Sequence, residues 1–132
     1  MTFRNLAVVT ALICFALALI WMLAPGFILH LWGVDYIPAM GMTCRRGAAL
    51  FAGFAIIFYR ARNAGPSELR SALSQGFTVS CFLLAGLGCL EFVYGYAGIG
   101  IFSAVLVELA LGTSFLFVAL DHNQADSAPL RN

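Results

Sequence analysis

The chain has 132 residues, 62% hydrophobic and 10% charged, with a formal net charge of +1 and a mean hydropathy of +0.95. A soluble domain carries about 25% charged residues, and one this short has too much surface to hide so much apolar side chain. These values exclude a water-soluble enzyme, a nucleic-acid binder and a disordered tail, and they place most of the chain in lipid.

The first apolar run, Leu6–Ala24, follows Arg4. It is longer than the about 7–15 residues of a signal-peptide core, and Pro25 stands where a cleavage site would need small residues. It reads as a retained membrane helix. Next, Gly26-Phe27-Ile28-Leu29-His30-Leu31-Trp32 is too apolar for a solvated loop. Pro25 suits the first position of a helix and Gly33 the position just past its end. This segment is predicted to be a short interfacial helix lying on the outer membrane surface, with Trp32 and Tyr36 as anchors.

A span needs about 20 mostly apolar residues. Counting back from Arg60 places the second span at Met40–Tyr59. The third runs over Gly76–Tyr96 and the fourth over Gly100–Leu120, joined so closely through Ala97, Gly98 and Ile99 that they form an antiparallel hairpin. Asn63-Ala64-Gly65-Pro66-Ser67 is a turn, and Ser67 is placed to cap the helix that follows. The fold class is thus an all-α integral membrane four-helix bundle with a short outer interfacial helix between helices 1 and 2. Residues 1–120 make the membrane domain and 121–132 a short polar tail.

Four spans put both termini and the 60–75 loop on one side, with Arg4, Arg60, Arg62, Arg70 and Arg131; Arg45 and Arg46 lie toward the other. Arginine excess marks the cytoplasmic face. Both termini are expected there, and the segment from Pro25 to Pro38 outside.

Small residues let membrane helices approach. Arg45, Ala49 and Gly53, flanked by Ala48 and Ala52, form one stripe; Phe77, Cys81, Leu84, Gly88, Glu91 and Gly95 a second; Gly100, Ala104, Glu108 and Gly112 a third. Each stripe carries a charge, so the charges are expected on faces that pack together. By rise per residue, Arg45 and Glu91 lie roughly 8 Å and Glu108 roughly 12 Å from the outer ends of their spans, with Arg46 at the same level. Arg45, Arg46, Glu91 and Glu108 are therefore the candidate site, with Arg45 expected to hydrogen-bond Glu108 or Glu91. Three readings stay open. The group is an ion-pair clamp that sets helix register. It lines an outward-facing polar pocket for a quinone head, a lipid phosphate or a small anion, or relays protons. Or the second span starts later and the arginines snorkel to water.

Cys14, Cys44, Cys81 and Cys89 show no CxxC spacing and read as small hydrophobes. His30 and His122 fall on opposite sides of the membrane and cannot share a ligand, although a single-ligand role for His30 stays open. Trp21 and the Phe and Leu stripes read as lipid-facing filler. No metal site, cofactor, nucleophile elbow, phosphate loop or dinucleotide fingerprint is indicated, and the balance is against an enzyme.

Three local patterns carry a resemblance. They are Leu23-Ala24-Pro25-Gly26 leading into Gly33-Val34-Asp35, then Arg45-Arg46-Gly47-Ala48-Ala49 with Gly53, then Val107-Glu108-Leu109-Ala110-Leu111-Gly112. Together the chain resembles a group of small bacterial four-span membrane proteins of unknown function, DoxX-like in appearance. Arg45 before Ala48, Ala49 and Gly53, and Glu108 in its leucine-alanine run, fit that pattern; Glu91 and Arg46 do not match it. The resemblance implies a four-helix bundle and a bacterial inner-membrane address, and no activity. The functional expectation is a non-catalytic accessory or assembly subunit of a larger membrane complex, with the bilayer and other membrane proteins or its own copies as partners. The alternatives are a small-ligand, quinone or lipid-headgroup binder built on the Arg/Glu group, and an oligomeric channel or transporter.

Overall fold

The computed structural model describes the backbone of residues 2–126 and the side chains of residues 2–119. Five helices follow in order: α1 (Phe3–Leu23), α2 (Pro25–Leu31), α3 (Pro38–Ala61), α4 (Glu68–Val93) and, after a single 3₁₀ turn at Ile99–Ile101, α5 (Phe102–Asp126). No strand occurs among the described residues. Four helical segments, of 21, 24, 26 and 21 residues, are long and apolar enough to cross a bilayer. The chain is an all-α, multi-pass membrane bundle, as its composition requires. Helix α5 continues beyond Leu120, so the expected polar tail starts as helix; residues 127–132, including Arg131, lie outside the described residues.

The helix ends follow the local chemistry. Ser67 accepts from the Arg70 amide and caps α4. Pro25 opens α2, and Gly33, at φ +72°, closes it. The Val34 and Gly33 amides return to the Leu29 and His30 carbonyls at 2.8 and 3.0 Å, satisfying groups that the helix end leaves unpaired. Gly95, at φ +75°, does the same for α4, with Tyr96 and Gly95 donating to Glu91 and Phe92. That turn ends α4 at Val93, three residues before the expected boundary. The short helix between the first two spans is present, with Ile28 and Leu29 buried and Phe27 and Leu31 exposed.

Helix α1 pairs with α3 along its length, and α4 pairs with α5, so the bundle is two hairpins. The α4–α5 seam closes on small residues. A side chain at Gly88 would meet Val105 at 2.8 Å and one at Gly112 would meet Cys81 at 3.1 Å. The α3 packing face differs from the expected stripe. Gly41, Ala48, Ala55 and Phe58 are buried, while Arg45 and Ala49 are exposed and nothing lies near Gly53. On a 3.6-residue helix, that face runs through the flanking alanines and leaves Arg45 on its edge.

Two contacts join the hairpins. At the arginine-rich end, Phe3, Phe58, Phe77 and Phe115 come one from each long helix. Phe58 and Phe115 are fully buried, and the Phe58–Phe77, Phe58–Phe115 and Phe77–Phe115 centroids are 4.6, 5.2 and 5.2 Å apart. These are favourable aromatic geometries. Leu6, Ala7 and Ala11 complete the cluster, and the Arg70 guanidinium covers the Phe3 ring at 4.2 Å. The phenylalanines on these faces are core, not the lipid-facing filler expected of them. Trp21 likewise packs edge-on against Trp32 at 5.5 Å.

At the opposite end, the turn after α2 latches onto the α4–α5 loop. The Gly98 amide donates to the Trp32 carbonyl at 2.6 Å, and a Cβ at Gly100 would lie 1.9 Å from the Leu31 carbonyl oxygen. Only glycine allows that backbone approach. Gly100→Ala is therefore expected to cost about 1–3 kcal/mol by overpacking. Gly86→Ala, at a helical position with open space around it, should be neutral or gain up to about 1 kcal/mol. Phe115→Ala should cost about 3–5 kcal/mol. Unfolding of the purified chain in detergent would rank the three; Gly100→Ala as stable as Gly86→Ala would disprove the latch.

Candidate functional site

The structure separates the four candidate residues. Arg45, Arg46 and Glu91 are exposed, and Glu108 is half-buried. Among the described residues, none of the four makes a side-chain hydrogen bond. The expected Arg45–Glu108 or Arg45–Glu91 hydrogen bond is not formed.

The reason lies in the length of α3. Arg46 and Arg60 stand 14 positions apart, which is about 21 Å of helix. The hydrocarbon core is about 30 Å thick. The two cannot both stand at an interface unless side chains extend outward along the helix. With Arg45 beside Arg46 and Arg62 beside Arg60, the helix is bracketed by arginine pairs, and water at either end competes with the glutamates for them.

Glu108 is placed differently. It shares the inward face of α5 with Phe115, seven residues on, so the register that buries Phe115 in the aromatic core turns Glu108 toward α1. It lines a groove of about 330 Å³ between α1 and α5, walled by Leu17 and Ile20 of α1 and roofed by Ile28, Leu31 and Trp32. No arginine is among the residues that line this groove. Ser103 also lines the groove, but its hydroxyl is already satisfied, donating to the Gly100 carbonyl at 2.7 Å. The Trp32 indole nitrogen is buried with no hydrogen-bond partner, as is the Thr10 hydroxyl. Buried polar groups are nearly always paired, so each orphan needs an explanation.

Cys14 and Cys81 are buried on α1 and α4, where they pack as small apolar side chains. His30 is exposed on α2. Among the described residues, no three His, Cys, Asp or Glu side chains group to hold a metal.

The groove lies between two spanning helices, and its roof residues Phe27 and Leu31 are exposed. Its volume falls in the range of small-molecule sites, about 300–1,000 Å³. Its polar chemistry is one carboxyl, able to donate or accept according to protonation, beside a tryptophan whose indole nitrogen is buried and unpartnered. With the arginines elsewhere, the groove has no cation to receive a phosphate or small anion.

Comparison with protein-family models, curated proteins and solved structures returns no match to this chain.

Arg45→Gln and Arg46→Gln should each change stability by less than about 0.5 kcal/mol, as surface substitutions do. Glu108→Gln should be neutral or stabilising, because it removes an unpaired carboxyl from apolar surroundings. A loss of about 3–5 kcal/mol for Arg45→Gln in detergent unfolding would instead reveal a buried ion pair.

Proposed function

We propose that this protein is a non-catalytic membrane protein that binds a neutral amphipathic molecule dissolved in the bilayer, in the groove between α1 and α5. The observation that carries this reading is Glu108. It is the candidate charge that the fold turns inward, and it lines an otherwise apolar groove beside Trp32, whose indole nitrogen is unpartnered. A quinone head fits that chemistry, because its carbonyls accept hydrogen bonds and its isoprenoid tail belongs in lipid. Its place between two spanning helices supports entry from the membrane.

The accessory-subunit reading keeps one supporting observation. Gly47 and Gly53 on α3 and Gly86 on α4 have no neighbour within the chain, and such surfaces let another helix come close. Cross-linking in native membranes would recover larger subunits if that reading holds; a monomer under the same conditions would end it. The bacterial inner-membrane address, the cytoplasmic termini and the DoxX-like kinship belong to the same proposal. A cysteine in the Asn63–Ser67 loop should label from the cytoplasm and one at Asp35 from outside; the reverse pattern would invert the topology.

The ligand is tested through the two tryptophans that the chain contains. Trp32 lines the groove and Trp21 packs on it, so intrinsic fluorescence reads the site. Titration with a short-chain quinone should quench it saturably. Ala104→Phe, which fills the groove, should abolish saturation, and Glu108→Leu should weaken binding by about tenfold, the loss of one hydrogen bond to a polar head. Linear quenching, equal in all three proteins, would overturn the assignment.

A further inference from the structure

A second groove lies on the α1–α3 seam, near the arginine-rich end, apart from Glu108. Its volume is about 340 Å³. Its walls are Ala11, Leu12 and Phe15 of α1 and Ala52 and Ile56 of α3, and Arg60 closes one end. The alanines make the trough, because a methyl group leaves a channel where a larger side chain would fill it.

The mouth of this trough is basic from both sides. Beside Arg60, the Arg62 guanidinium donates to the Tyr59 carbonyl and stacks over the Tyr59 ring at 3.8 Å, so it is held next to the groove. Arg4 stands seven residues before Ala11 on α1 and so shares its face. Because α1 and α3 run antiparallel, Arg4 lies at the level of Arg60. Glu68, an acid described at this end, belongs to the start of α4 in the other hairpin.

We propose that this groove holds one acyl chain of an anionic phospholipid, with the lipid phosphate among Arg60, Arg62 and Arg4. An apolar trough ending in arginines matches the two parts of such a molecule. Guanidinium groups bind phosphate through paired donors, and basic pockets between spanning helices on the cytoplasmic side recognise anionic head groups. A free phosphate would leave the trough bare. A second copy of the chain would enter the membrane with the same topology, and pairing through this face would set its arginines against these.

Native mass spectrometry of the full chain, delipidated in detergent, tests the assignment with phosphatidylglycerol and phosphatidylcholine of identical acyl chains. Phosphatidylglycerol should bind preferentially, and Arg60→Gln should weaken it by about fivefold, with about the same again for Arg4→Gln. Arg46→Gln, at the opposite end, should leave binding unchanged. Ala52→Leu, which fills the trough without altering charge, should also release the lipid. Leu12→Ala, which widens it, replaces that variant if thermal melting shows Ala52→Leu to be unfolded, and should change the preferred chain length. Millimolar inorganic phosphate should not compete. Equal binding of the two lipids, indifference to the arginine variants, or dimers that exclude lipid would each overturn the proposal. So would arginine-dependent binding that ignores both groove variants, or competition by phosphate; either would mean a head-group contact without a seated chain.

Discussion

The meeting of four phenylalanines at one end of the bundle is the contact on which the rest depends. In a bilayer, apolar side chains gain little by leaving lipid for one another, so packing and shape complementarity must hold helices together. Phe3, Phe58, Phe77 and Phe115 supply that packing, one from each spanning helix, with Phe58 and Phe115 fully buried. Every other extensive contact lies within a hairpin. At the far end, the hairpins meet where Gly98 and Gly100 bring their backbone against the turn after α2.

That uneven distribution of packing leaves the groove that Glu108 lines. Between the aromatic core and the glycine latch a groove remains between α1 and α5, lined but not filled by Ile28, Leu31 and Trp32. Glu108 sits in this gap because the same helical face that delivers Phe115 to the core carries Glu108 two turns away. Core register and site geometry are one constraint: a rotation of α5 that removed Glu108 from the groove would also remove Phe115 from its neighbours.

The arginines follow a different rule. Membrane arginines are held by the distance to water as well as by carboxylates. On α3 the segment between Arg46 and Arg60 is too short to span the hydrocarbon, so each end is drawn to its own interface. This places positive charge at both rims of the bundle and leaves the interior carboxyl without a cation. The inward site is therefore suited to neutral heads, while the basic rim at the core end is suited to anionic ones.

The sequence by itself determined the class of the protein. Sixty-two per cent hydrophobic residues in 132 positions permit a membrane bundle and little else, and four apolar runs separated by Pro, Gly and Ser punctuation set the number of spans. Pro25 and Gly33 announced the short helix, and Ser67 the start of α4, because these signals are local and act through the residue's own backbone or its neighbours. The candidate site was half legible. Glu108 stood out as an ionisable residue in a span, yet its pairing with Arg45 was inferred from depth alone, and depth does not say which way a side chain faces. Tertiary structure decided that. It rotated α3 so that Ala48 and Ala55, not Ala49 and Gly53, met α1, and it gathered phenylalanines scattered across the chain into one core. It also left the Trp32 indole nitrogen buried and unpaired, on a side chain that lines the groove. Each depends on the relative rotation of helices distant in sequence, which is set by the sum of many packing contacts and written in no single motif.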